Sequence, residues 1–449
     1  FLVATKGAPD QLLRRATQLA FADQAQPLTD AARQDLLAVN KSLAVQALRV
    51  LGMAYKYLDV LPATITSETI EHDMVFAGLV GMIDPERPEV ADAVAAAKAA
   101  GIRPMMITGD HQDTAEAIAA RLGIIKPGDD AAVITGAQLD EQTDAEFDRN
   151  VDQYAVYARV APEHKVRIVN AWQKRGKVVA MTGDGVNDAP ALKAADIGIG
   201  MGITGTEVSK GASDMVLADD NFSTIVTAVE EGRKVFSNIQ KSIQYLLSAN
   251  LGEVLTLFMM TMLGWDILAP VHILWINLVT DTFPAIALGV EPTEPGIMKQ
   301  RPRGRQSNFF SGGVGQAVIW QGLLEGLLTL GVYYIGITWP IHAGSAAMHA
   351  DALTMAYVTL GLIQLFHAFN VKSVHQSLFT VGLFRNKAFN WAILVSFLLL
   401  AVTILVPGFN GLFHVTTLAW QQWAVVLGAG VSIIIIVELV KWGQRLKAR

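Results

Sequence analysis

The chain has 449 residues, a formal net charge of −6, 52% hydrophobic residues and 17% charged ones. That length exceeds one ordinary domain, and the mild charge, with no basic patch interleaved with aromatics, gives no footing for nucleic-acid binding. Cysteine is absent, which excludes disulfides and thiolate metal sites. Residues 1–235 mix charges with short apolar runs, whereas 240–442 hold long apolar stretches. A soluble half joined to a membrane half is the first expectation.

The sequence opens with Phe1-Leu2-Val3, which reads as part of a strand. The expectation is therefore a portion of a longer polypeptide. Residues 74–83 (MVFAGLVGMI) form an apolar run bounded by Asp84-Pro85, which predicts a buried strand. An Ala-rich helix follows over 89–100. Ile102–Ile107 reads as a second strand ending in Thr108-Gly109-Asp110, with a helix over 113–122 after it. Val178–Met181 reads as another, ending in Thr182-Gly183-Asp184-Gly185-Val186-Asn187-Asp188, and a helix starts near Ala189-Pro190. Strands alternating with helices predict a parallel α/β sheet. The polar motifs fall at the C-terminal ends of strands, where such sheets bind ligands.

The residue types in these motifs suit phosphoryl transfer. Asp184 and Asp188 are hard carboxylates four apart on a glycine-containing turn, a pattern that holds Mg²⁺ beside a phosphate. Gly183 and Gly185 permit close backbone approach. The Thr108 hydroxyl and the N–H groups around Gly109 suit phosphoryl oxygens. Lys165, in Arg159-Val160-Ala161-Pro162-Glu163-His164-Lys165, can place positive charge on the same group.

Six apolar stretches are long enough to cross a bilayer: 241–263, 267–289, 314–339, 352–371, 389–406 and 421–442. The fourth is the weakest by composition, because it holds Gln364 and His367. Loops 264–266, 340–351 and 407–420 carry no Lys or Arg. The alternate connections carry Lys299, Arg301, Arg303 and Arg305, then Lys372, Arg385 and Lys387, and the tail adds Lys441, Arg445, Lys447 and Arg449. This alternation predicts six spans with both ends cytoplasmic. The soluble half then lies where ATP and Mg²⁺ are found.

Polar residues cluster inside the first two spans. Asn250 and Glu253 are spaced i, i+3, and Asn277, Thr280 and Asp281 are spaced i, i+3, i+4, so each set shares a helix face. Pro284 cannot donate to the Thr280 carbonyl, which frees a backbone oxygen beside the cluster. Intramembrane carboxylates are costly and mark function. The all-oxygen set favours Ca²⁺, Mg²⁺, Mn²⁺, Na⁺ or H⁺ over Cu or Zn. His367 is expected to be structural, and Glu438 to snorkel towards the cytoplasmic surface.

MITGD followed by MTGDGVNDAPALK resembles the phosphorylation domain of P-type ATPases, a branch of the haloacid-dehalogenase-like fold. The resemblance continues through DPERPEV (84–90), ADIGIGMG (195–202) and DMVLADDNFSTIVTAVEEGR (214–233). KGAPD (6–10) is similar to a signature of the inserted nucleotide-binding domain. SANLGEV (248–254) and ILWINLVTDTFPAIALGVEP (273–292) resemble calcium pumps of the sarcoplasmic-reticulum subgroup, which includes bacterial members.

The resemblance implies a haloacid-dehalogenase-like α/β cytoplasmic domain with part of a nucleotide-binding domain, followed by an all-α six-helix transmembrane bundle. The implied boundaries are 1–73, 74–235 and 236–449. Lys6 and Arg49 would contact ATP, and Arg159 joins that nucleotide set. Thr108, Gly109 and Lys165 would meet the phosphoryl group, and Asp184 would ligate Mg²⁺. Asn187 and Asp188 would complete the site, with Asp110 in support. Asn250, Glu253, Asn277, Thr280 and Asp281 would hold the transported cation. Gln364 stands where the subgroup often has a Glu ligand. Its neutral amide removes one charge, and it serves either as a ligand or as a bond between helices.

The family's nucleophile is the Asp of Asp-Lys-Thr-Gly-Thr, expected upstream of KGAPD, and that motif does not occur in these 449 residues. The expected partners are thus ATP, Ca²⁺, the lipid bilayer and an N-terminal part of the same pump. The expected setting is a bacterial plasma membrane. The alternatives are a pump for Mn²⁺ or Na⁺, or a non-catalytic half-pump acting as a binding or regulatory subunit.

Overall fold

The computed structural model describes residues 1–449 except 22–23, 47, 83–85, 267, 342–343 and 448–449. The Asp84-Pro85 boundary and the expected start of the second span therefore lie outside the described residues. The chain divides into two compact units. One comprises Phe1–Thr227 with Met298–Arg305, the other Ala228–Ile297 with Gln306–Arg449.

In the first unit, β1 (Leu2–Gly7), β2 (Ala16–Phe21), β3 (Gln24–Pro27), β4 (Arg49–Tyr57) and β5 (Met74–Met82) form one sheet in the order β1-β4-β5-β2-β3. β5 pairs antiparallel with β4 and parallel with β2. This corrects the expected boundary after residue 73. The apolar run 74–82 closes the N-terminal sheet and does not open the next one. The physical reason is burial: Met74 and Phe76 complete a core with Leu12, Leu13 and Ala54.

Two three-stranded parallel sheets follow. β6 (Met106–Ile107), β7 (Val133–Thr135) and β8 (Val156–Ala158) run in the order β6-β8-β7. β9 (Ala180–Gly183), β10 (Ile197–Met201) and β11 (Met215–Leu217) place β10 in the middle. The helix Pro162–Lys174 serves both sheets. Its Ile168 and Trp172 pack with Ile134 and Tyr157, while Val169 packs with Met181 and Leu192. Apolar residues at 168, 169, 171 and 172 make one stripe, which is why this helix is buried on that face. Proline at its first position fits the helix start, where the missing N–H has no partner to lose.

The second unit is helical. α1 spans Phe222–Met262. The next crossing is broken into α2 (Pro270–Ile276), a π-helical turn (Asn277–Asp281) and α3 (Thr282–Gly289). α4 (Val314–Thr338), α5 (Ser345–Val371), α6 (Lys387–Leu405) and α7 (Trp420–Lys447) follow. Among the described residues, six helical stretches are long and apolar enough to cross a membrane. The crossing that is weakest by composition, α5, is the most enclosed. Its apolar stretch is 83% buried, against 28% for α6 and for α7. Its polar residues are tolerated because they face protein and not lipid. Trp339, Trp391, Trp420 and Trp442 lie exposed near helix ends, as expected of an interfacial aromatic belt.

The basic loop after α3 packs away from the helices it connects. Residues Met298–Arg305 belong to the first unit. There Arg305 pairs with Asp196, and Pro302 lies against Gly101, whose φ is +74°. The loop rich in Lys and Arg thus sits with the α/β unit.

Candidate functional site

The turns at Thr108–Asp110 and Gly183–Asp188 both meet the segment that runs from Arg159 into the helix Pro162–Lys174. Lys165, one turn into that helix, reaches Asp188 Oδ1 at 2.5 Å. Asp188 is buried, and its other oxygen accepts from the Asp184 N–H at 3.2 Å and the Gly185 N–H at 3.1 Å. Burial pushes the Asp188 carboxyl up. The Lys165 ammonium and the Gly185 and Asp184 N–H groups outweigh it and hold the carboxyl below its ordinary value. Gly183 makes this fold possible, since a Cβ there would lie 2.4 Å from Asp188 Cβ.

Asp184 and Asn187 are exposed on the same turn. The Asp184 carbonyl is fixed by the Ser209 hydroxyl at 2.9 Å and the Thr206 N–H at 2.8 Å, so the residue is held by its backbone. The Thr108 hydroxyl donates to Asp110 Oδ2 at 3.0 Å, and the Asp110 N–H donates back to Thr108 Oγ1 at 3.1 Å. The Arg159 and Val160 N–H groups bond the Asp110 and Thr108 carbonyls, with Arg159 in the left-handed region at φ +50°. Gly109 is exposed and a Cβ there would meet nothing within 4 Å, so open space adjoins its backbone.

Lys6 and Arg49 lie on adjacent antiparallel strands. Lys6 pairs with Met53, so the even spacing from Met53 to Arg49 puts both on one face of the sheet. Both are exposed. Gly52 faces the other side, where a Cβ would crowd Phe76 and Leu12.

In the second unit, Glu253 on α1 is buried. Its Oε2 accepts from Asn277 Nδ2 at 2.9 Å and its Oε1 from Gln364 Nε2 at 2.9 Å. The Thr280 hydroxyl donates to Gln364 Oε1 at 2.7 Å. The Gln364 amide therefore links α1 to the π-helical turn from both ends. Asp281 is buried beside this chain, and among the described residues neither of its carboxylate oxygens has a hydrogen-bond partner. An orphaned buried carboxylate next to an amide and hydroxyl chain fits a hard cation.

Three expectations are corrected. Asn250 is exposed and its amide bonds the Leu246 carbonyl at 2.7 Å, so the helix turns it away from Glu253's neighbours. The Thr280 carbonyl, released by Pro284, is not open to the cluster, because the Tyr245 hydroxyl bonds it at 2.5 Å. Glu438 does not snorkel. It accepts from the Ser377 hydroxyl at 2.7 Å and the Leu378 N–H at 3.0 Å, and so anchors the loop after α5. His367 is fully buried, with Nε2 3.2 Å from the Ser248 hydroxyl and 3.6 Å from Glu325 Oε1.

Sequence reasoning missed Glu325 altogether. It is a lone carboxylate in the middle of a long apolar span, which is the signal that would have found it. It also missed a buried ionic layer at the basic-loop end of the helices, where Lys241 pairs with Glu294 at 2.6 Å and Lys372 with Glu291 at 3.5 Å.

Comparison with known proteins bears on the whole chain. Residues 266–443 match the family described as cation transporting ATPase, C-terminus, and residues 1–89 match P-type ATPase, cytoplasmic domain N. The second match extends past β5, in keeping with that strand's place in the first sheet. Calcium-transporting ATPase 1 of Bacillus cereus is 44% identical over 454 residues, covering 98% of this chain and 50% of that protein. Calcium-transporting ATPase of Bacillus subtilis is 41% identical, covering 95% and 47%. Calcium-transporting ATPase 3, endoplasmic reticulum-type, of Arabidopsis thaliana is 38% identical, covering 98% and 47%. The chain spans about half the length of the curated relatives it matches. With its α/β phosphate motifs and six membrane-crossing helices, the chain belongs to the P-type family of cation-transporting ATPases.

Proposed function

We propose that this chain forms the ATP-processing and ion-carrying portion of a Ca²⁺ pump driven by an aspartyl-phosphate cycle. The observation that carries the reading is the intramembrane cluster. Glu253, Asn277, Thr280 and Gln364 form one bonded chain beside Asp281, whose carboxylate has no donor. A cation with hard oxygen ligands relieves that burial. The bacterial plasma membrane is its setting.

Each residue in the α/β unit has a part. The Gly109 N–H orients phosphoryl oxygens, and the Thr108 hydroxyl joins it by turning its proton away from Asp110. Lys165 offsets their charge, held in place by Asp188. Asp184 offers its exposed carboxylate, with Asn187 beside it, to Mg²⁺, which would neutralise phosphate charge. Lys6, Arg49 and Arg159 bind ATP. Asp110 holds the Thr108 hydroxyl in position. The helix bearing Glu253 begins at Phe222, five residues beyond β11, and runs unbroken for 41 residues, about 60 Å at 1.5 Å per residue.

The partner that supplies the phosphorylated aspartate is an N-terminal part of the same pump. β6 and β9 both lie at the edges of their sheets, and each ends in a phosphate motif. Edge strands present unpaired N–H and C=O groups that accept a further strand.

The test is ATP-driven Ca²⁺ uptake by the full-length protein in vesicles, comparing native with Glu253→Gln and Asp281→Asn. Both substitutions should abolish uptake. Native uptake in both variants removes the proposed ion site. ATPase activation by Mn²⁺ or Na⁺ but not by low Ca²⁺ replaces the ion.

A further inference from the structure

We propose that Glu325 of α4 is a further ligand of the transported cation, giving the intramembrane cage a third carboxylate. The proposal rests on the cluster around Glu253 and Asp281 being the cation site.

Glu325 is fully buried, and among the described residues neither of its oxygens has a hydrogen-bond partner. His367 Nε2 comes within 3.6 Å, beyond hydrogen-bond reach, and its closer partner is the Ser248 hydroxyl. A carboxylate held this way is strongly unfavourable without a counter-charge. Its electrostatic neighbours add to the problem. Asp281 and Glu253 both act on Glu325, and all three are acidic. Asp281 likewise has two oxygens without donors. The two orphaned carboxylates place four hard oxygen atoms in one buried region. That is the donor set of an oxygen-ligated cation.

The backbone is shaped to bring Glu325 there. Gly252 precedes Glu253 on α1, and a Cβ on it would lie 3.0 Å from Glu325 Cβ and 3.4 Å from Glu325 Oε2. On α4, Gly322 and Gly326 flank Glu325. A Cβ on Gly322 would lie 2.8 Å from the Ser248 carbonyl, and one on Gly326 2.9 Å from Leu255 Cδ2. Three glycines thus let the two helices approach at the level of Glu253, as small residues do at membrane helix contacts. The carboxylate of Glu325 lies in the resulting notch. Gln364, which bridges Glu253 and Thr280, is neutral. Glu325 supplies from α4 the charge that Gln364 does not supply from α5.

Among the described residues, no three His, Asp or Glu side chains are already gathered around one point as a metal ion would hold them. Binding therefore draws the carboxylates together by rotamer changes, with Glu325 turning out of its glycine notch.

The experiment uses the full-length pump in detergent. It measures ⁴⁵Ca²⁺ bound per protein, Ca²⁺ dependence of phosphorylation from ATP, and phosphorylation from inorganic phosphate without Ca²⁺. Glu325→Gln should raise half-saturating Ca²⁺ tenfold or more, or remove a bound ion, while phosphorylation from inorganic phosphate persists. A merely structural Glu325 would not split those readouts. Native Ca²⁺ half-saturation and stoichiometry in Glu325→Gln overturn the proposal. If that variant fails to fold, Glu325→Asp decides: weakened Ca²⁺ binding supports a ligand, and unchanged binding refutes it. Should Glu253→Gln and Asp281→Asn also bind Ca²⁺ normally, the cluster itself is not the site. If they fail while Glu325→Gln binds normally, only the third ligand is lost.

Discussion

Gln364 Nε2 donates to Glu253 Oε1 across 2.9 Å, and the other end of the same amide accepts from Thr280. One side chain thus occupies the centre of the cluster from α5. Gln364→Ala removes both bonds and leaves a buried carboxylate oxygen unmet, at a cost of about 1–3 kcal/mol. Thermal unfolding without Ca²⁺ should show the loss. Gln364→Glu adds a like charge beside Glu253, so it should lower the melting temperature without Ca²⁺ and widen the stabilisation that Ca²⁺ provides. An unchanged Ca²⁺-induced shift would count against Gln364 facing the ion.

Lys165 and Asp188 make a pH-sensitive pair. The Asp188 carboxyl is held below its ordinary value, so the pair's contribution is complete above the unfolded value of about 3.9 and disappears as pH falls through the lower folded one. Lys165→Met removes the opposing charge, so that only the Gly185 and Asp184 N–H groups offset burial and the carboxyl is held down less. Acid unfolding of the α/β unit, followed by Trp172 fluorescence, should then begin at higher pH. Phosphorylation from ATP should also slow by about 10²–10³-fold, the usual loss for one electrostatic contact to a transferring group. Acid unfolding identical to native would show that the pair adds nothing to stability.

Gly183 is a steric requirement. Gly183→Ala puts a methyl group 2.4 Å from Asp188 Cβ, so Asp188 must leave Lys165 or the turn must shift. Overpacking of this kind costs about 1–3 kcal/mol. Phosphorylation should fall along with stability, whereas Gly109→Ala, beside open space, should disturb the fold far less. Comparing the melting temperatures of the two variants checks the contrast.

Lys241 and Glu294 test the buried ionic layer. They pair at 2.6 Å, with the Lys241 side chain almost wholly enclosed. Lys241→Met strands a buried carboxylate and should cost about 3–5 kcal/mol, and adding Glu294→Leu should recover much of it. A double variant no more stable than the single one would show that the two residues do not act as a pair.

Much of this architecture was legible in the residues. The loop charges at Lys299–Arg305 marked a connection distinct from the apolar stretches on either side, and that loop packs with the α/β unit through Arg305 and Pro302. The turn from Gly183 to Asp188 followed a short apolar strand as expected. Residues 74–82 misled because a buried apolar strand carries no mark of its sheet. Its partners proved to be β2 and β4, supplied by more than fifty residues of preceding chain. Asn250 misled because i, i+3 spacing leaves about 60° between side chains. That angle separates a buried Glu253 from an exposed Asn250.

Local sequence alone marked six stretches apolar enough to cross a membrane and the two glycine-acid turns after apolar strands, because hydropathy and turn chemistry act over a few neighbouring residues. Tertiary structure decided which intramembrane oxygens face one another. Whether a side chain is bonded, orphaned or turned outward depends on how closely two helices approach. For Glu253 and Glu325 that distance is governed by Gly252, Gly322 and Gly326, on helices about seventy residues apart in the chain.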